Sequence, residues 1–176
     1  TYTLPATQTY AIGSVGLGAN VMVAVTESVN NTSLVFKNVG GYLKIKLYGD
    51  AIVRSVEISG NNGEIIAGDA TLIANFDKVP EVVMDEDYGE NLITLDCGSG
   101  VKLSNDANNP TEFWFVVPST TFEDGITIKV TDNEGGTFVK STSNKIVVER
   151  NKIQPMAAIK AEFEAIAKPA NNEIWY

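Results

Sequence analysis

The chain lacks histidine altogether across its 176 residues. Without an imidazole, neither a Ser-His-Asp nor a Cys-His arrangement can be assembled, and a His-ligated zinc or non-haem iron centre cannot form within the chain. There is one cysteine, Cys97. It excludes an intrachain disulfide framework and a cysteine cluster, and leaves the redox compartment open. In LDCGSG it stands at a strand end with no basic neighbour, so it reads as a semi-buried packing residue rather than a reactive thiolate. Long apolar runs are missing too: the longest are about five residues, against the roughly 20 that span a bilayer as a helix. No transmembrane segment is expected. Positive charge is scarce, with 13 basic against 22 acidic residues and a formal charge of -9. That field repels phosphate backbones and anionic lipid, so nucleic acid is not an expected partner. Thr1 follows no basic and apolar leader, so any signal peptide or lipid-anchor cysteine is expected to have been removed or to lie outside these residues.

What is present is β-forming sequence. Hydrophobic residues make up 44% and charged residues 20%, the composition of a folded domain rather than a disordered one. Short β-branched runs alternate in polarity between turn signals. In YLKIKLYG (42–49), Leu43, Ile45 and Leu47 point to one face, and Tyr42, Lys44, Lys46 and Tyr48 to the other. ITIKVTD repeats the pattern with Ile126, Ile128 and Val130 inward. Asp132-Asn133-Glu134-Gly135-Gly136 predicts a hairpin to TFVKSTS, and Gly60-Asn61-Asn62-Gly63 predicts another between RSVEIS and EIIAG. Further strands are expected at 20–26, 33–38, 51–59, 70–76, 81–84, 91–97, 101–103 and in KIVVER. Roughly ten short strands at this spacing suggest a sandwich or barrel. The end of the chain is ambiguous. Alanines and the i,i+4 pair Lys160 and Glu164 favour helix, while Ile159, Ala161, Phe163 and Ala165 alternate as a strand would, and Pro169–Asn172 reads as a boundary.

Several stretches invite a chemical reading. Asp85, Glu86, Asp87 and Glu90 in MDEDYGEN could supply oxygen ligands to calcium, but the spacing is not an EF-hand loop, and a solvated acidic turn between two strands accounts for it. AIGSVGLGAN (11–20) is glycine-rich yet has no Walker lysine and leads into a strand, so it reads as a flexible connection rather than a phosphate cradle. Two-carboxylate glycoside hydrolysis needs only Asp or Glu in a cleft, and composition leaves it open. The candidate contact residues are Trp114 and Glu112, in EFWFVVP. Phe113, Phe115 and Val117 share one face, with Glu112, Trp114 and Val116 on the other. Both faces are largely apolar, so the strand is either central and covered on both sides or meets another segment with its second face. Trp114 is either a packing residue or a stacking platform for sugar, with Glu112 as hydrogen-bond acceptor and Tyr42 or Tyr48 as further platforms.

The order and character of SLVFKNVGGYLKIKLYG, SVEISGNNGEIIAG, LDCGSGVKL, EFWFVVPSTTFEDGITIKVTDNEGGTFVKSTS and VERNKIQPM resemble the fimbrillin-like surface proteins of Bacteroides-type bacteria over about residues 33–158. The ending PANNEIWY is similar to the junction at which some of these proteins pass into leucine-rich repeats. The resemblance implies a transthyretin-like antiparallel β-sandwich of Greek-key type over residues 1–158, with 159–176 as a tail or linker. It implies a protein exported to the cell surface, commonly as an outer-membrane lipoprotein, acting without catalysis or cofactor as a pilus subunit or adhesin module. Its partners would be other surface or pilus subunits, host proteins or glycans. A carbohydrate-binding module using exposed aromatics is the alternative.

Overall fold

Alternation along the chain becomes alternation across sheets. The computed structural model describes residues 2–164, and no helix occurs among them. The strands are Tyr2–Leu4 (β1), Thr7–Ala11 (β2), Ser14–Val15 (β3), Met22–Val23 (β4), Lys37–Asn38 (β5), Gly41–Tyr48 (β6), Ile52–Gly60 (β7) and Ala67–Ile73 (β8). They continue with Glu81–Glu90 (β9), Leu92–Lys102 (β10), Thr111–Val117 (β11), Thr120–Phe122 (β12), Ile126–Asp132 (β13), Thr137–Ser141 (β14), Ile146–Val148 (β15) and Ile153–Lys160 (β16). A six-stranded sheet runs β14-β13-β7-β10-β2-β3, and a three-stranded sheet runs β11-β6-β16. Leu43, Ile45 and Leu47 of β6 and Phe113, Phe115 and Val117 of β11 pack with Val56 and Ile58 of β7, Ile93 and Leu95 of β10, and Ile128 and Val130 of β13. All of these are essentially fully buried. The two sheets therefore close over one core as a β-sandwich, flanked by a β1-β8-β9 sheet and the pairs β12-β15 and β4-β5.

The sheets are mixed rather than antiparallel throughout, because β2 runs parallel to β10 and β16 runs parallel to β6. The Asp132–Gly136 hairpin forms, with Thr131 opposite Thr137. Gly60–Gly63 makes a turn but no hairpin: β7 is already paired on both edges, by β10 and β13, so the chain crosses to the β1-β8-β9 sheet instead. The strands read at 91–97 and 101–103 are one strand, β10, bulged between Asp96 and Val101. Gly98 (φ 58°) and Gly100 (φ 114°) take the positive φ this detour requires. The acidic run is no link between two strands: it bulges out of β9, and Asp85 Oδ1 accepts from the Asp87 and Tyr88 amides at 2.9 and 3.2 Å. Among the described residues no cluster of acidic side chains is arranged to hold a metal ion. The glycine-rich stretch is partly an ordered hairpin, since Ala11 and Ser14 pair across Ile12-Gly13.

The runs at 20–26 and 33–38 shrink to the two-residue strands β4 and β5. No longer edge receives the residues between them, so Val25, Val29, Leu34, Val35 and Phe36 stay in solvent. At the other end the strand alternative prevails over the helix as far as the chain is described. β16 reaches Lys160, Ala161 is buried, and the Phe163 ring lies 6.1 Å from Phe138. Lys160 bonds Glu162 at 2.8 Å, a strand spacing, instead of Glu164. Packing thus continues to Glu164, past residue 158; Ala165 and the Pro169–Asn172 boundary lie outside the described residues. No helix among the described residues is long and apolar enough to cross a membrane.

Candidate functional site

The outward face of the three-stranded sheet carries the candidate residues, because side chains opposite the core alternate with those in it. Register sets the neighbours: Trp114 lies opposite Lys44 and Glu112 opposite Lys46, while on the other side of β6 the partners of Lys44 and Lys46 are Pro155 and Ala158. β11 is an edge strand of this sheet, not a central one. Its second face does meet another segment at one end. Val116 is buried with Leu4 and Ala19, and Tyr2, Val15 and Tyr42 pack around them. The edge itself is sealed by Gln8, whose Nε2 donates to the Val116 carbonyl at 2.8 Å while the Val116 amide donates to Gln8 Oε1 at 2.9 Å. A side chain from the six-stranded sheet thus stands in for a strand along part of β11.

Trp114 is half-buried and fully engaged. Its indole N–H donates to Glu112 Oε2 at 3.1 Å, and the Lys44 ammonium sits 4.9 Å from the ring centroid while donating to Glu112 Oε1 at 2.8 Å. Cation–π contact and ion pair close a triangle that occupies one ring face. The hydrogen bond from Lys44 holds the Glu112 carboxyl below its ordinary range; partial burial opposes it, and the Trp114 N–H reinforces it. Glu112 is therefore an ionised, positioned acceptor with lone pairs to spare. Tyr42 donates to Asn20 Oδ1 at 3.2 Å, and Tyr48 lies six residues along β6, roughly 20 Å away at strand rise. The three aromatics do not form one platform.

Beside this face opens a cleft of about 530 Å³. Tyr10, Ile12 and Gly13 wall one side, the 107–110 loop another, and Lys46, Glu112 and Ala158 the floor. Tyr10 is fixed by its contact with Phe113, with ring centroids 5.5 Å apart, and burial raises its phenol pKa, keeping the O–H intact. The loop is fixed by local hydrogen bonds to its amides: the Asn108 amide donates to Asp106 Oδ1 at 2.8 Å, the Asn109 amide to Asp106 O at 3.1 Å, and Ser104 N–H to Thr111 Oγ1 at 2.9 Å. Sequence reading singled out Glu112 but not Tyr10, Lys44, Lys46, Asn108 or Asn109 as its neighbours. Lys44 and Lys46 carried only an outward parity. Cys97 lies within β10, buried, with its thiol pushed up to about 12 by that burial; Asp96 adds to the shift and Arg54, a basic neighbour in space, opposes it. Compared with protein-family models and with curated proteins, the chain matches none.

Proposed function

We propose that the chain is a non-catalytic module of the bacterial cell surface, fimbrillin-like, exported, and working in adhesion or as a pilus-associated subunit. The segment order from SLVFKN to NKIQPM supports it. The structural observation that carries it furthest is the arm between β2 and β6. Leu17, Val29, Val35 and Phe36 there are 102%, 97%, 70% and 60% exposed, beside sheets with open edges. Exposed apolar side chains and unpaired strand edges are what a protein partner can cover. Biotinylation of intact cells producing the full-length protein tests the address: labelling before lysis is expected, and labelling only after lysis ends this reading. A second reading, carbohydrate binding, draws its support from the cleft beside Glu112 rather than from Trp114, whose ring face Lys44 already occupies.

A further inference from the structure

The cleft at Tyr10 gathers side chains of varied chemistry. Its volume of about 530 Å³ falls within the roughly 300–1,000 Å³ of small-molecule sites. Its walls combine an aromatic side chain, two side-chain amides, an ammonium and a carboxylate, all on elements that are already held in place. We propose that it binds a short neutral oligosaccharide. This rests on the carbohydrate-binding reading and is independent of the adhesion one.

The chemistry selects the class. A sugar presents vicinal hydroxyls that both donate and accept, plus a C–H face that packs on an aromatic ring. Asn108 and Asn109 can donate and accept, Lys46 donates, Glu112 accepts, and Tyr10 offers an apolar body with a hydroxyl tip. Charge selects neutrality: the cleft presents both a cation, Lys46, and an anion, Glu112, while the net charge of -9 disfavours an anionic ligand at long range. Glu112 is the single carboxylate among the described residues lining the cleft, one fewer than glycoside hydrolysis uses, so the site holds rather than cleaves. Preorganisation matters, because each side chain ordered on binding costs conformational entropy. The Glu112 triangle and the Asp106 turn spend part of that ordering at folding instead.

The test is a printed array of neutral, sialylated and sulfated glycans, followed by titration calorimetry with the best neutral glycan. Wild type, Asn108→Ala/Asn109→Ala and Trp114→Phe are compared, each checked for the wild-type melting temperature. Expected is retention of at least one neutral glycan, weakened about tenfold or more in the double asparagine variant by the lost hydrogen bonds, and weakened less in Trp114→Phe, which takes from Glu112 only the indole hydrogen bond that helps position it. Retention of no glycan would overturn the carbohydrate reading as a whole. Retention of acidic glycans alone would overturn the neutral class. Binding that survives the asparagine substitutions but disappears in Trp114→Phe would move the site to the sheet face and overturn the cleft.

Discussion

Gln8 gives the sharpest test of how the sandwich is held together. It is the one buried polar side chain of the core among the described residues, 3% exposed, and both of its amide groups are used by the main chain of Val116. In an antiparallel ladder alternate residues turn their N–H and C=O away from the partner strand. At Val116 these groups point from β6 toward β2, where no strand follows. Gln8→Leu keeps approximate volume but leaves both groups buried without partners, at about 1–3 kcal/mol each, with about 1 kcal/mol returned by burying leucine. The net loss is about 3 kcal/mol, which for a chain of this size lowers the melting temperature by roughly 6–12 °C. Calorimetry measures the shift, and NMR hydrogen exchange should show the Val116 amide losing protection ahead of Phe113 and Phe115. Gln8→Glu adds a sign: its carboxylate can accept from the amide but repels the carbonyl, so this variant should regain stability as pH falls and the carboxyl protonates. A drop below about 2 °C in Gln8→Leu, with Val116 still protected, would refute the claim that this side chain seals the edge.

Cys97, buried with its thiol pushed up to about 12, should react with a disulfide reagent at pH 8 only after denaturation; a native rate equal to that of a free thiol would contradict its placement. Glu112, held below its ordinary pKa by Lys44, contributes stability that is present above the unfolded carboxyl value of about 4.3 and lost as pH falls through its folded value. The melting difference between wild type and Glu112→Gln should be small at pH 7, within about 1 kcal/mol for a partly exposed pair, and should shrink in acid. A difference that stays flat or grows below pH 4 would count against the Lys44 contact. Gly125 has φ 75°, and a Cβ there would come within 2.0 Å of the Thr142 carbonyl oxygen, so Gly125→Ala should cost about 2 kcal/mol or more in urea unfolding. An unchanged midpoint would show that the turn before β13 can relax.

Facing patterns were legible because they are local. Leu43, Ile45 and Leu47 in β6, and Ile126, Ile128 and Val130 in β13, point where a period of two requires, and no distant contact is needed to know it. Phe113, Phe115 and Val117 were separable from Trp114 and Glu112 for the same reason. Pairing partners were not legible. Gly60–Gly63 has hairpin chemistry, yet the strands on either side go to different sheets, because pairing depends on which edges other segments have already taken. The strand propensity of 33–38 was real but found no long edge to satisfy it.

The candidate site divides along the same line. Glu112 and Trp114 share a face by parity alone, which adjacent residue types on one strand suffice to reveal. That Lys44 covers the indole, that Tyr10 and Asn108 meet Glu112 across one cleft, and that Gln8 bonds a residue 108 positions away depend on register and sheet stacking. The sequence by itself determined an all-β chain, its inward and outward faces, and the lack of any histidine-based chemistry, since composition and a two-residue period are properties of short windows. Only the tertiary structure decided the parallel strands β2 and β16, the sealed edge of β11 and the walls of the cleft, because long-range backbone hydrogen bonds join any two strands with free edges and one short window cannot say which two.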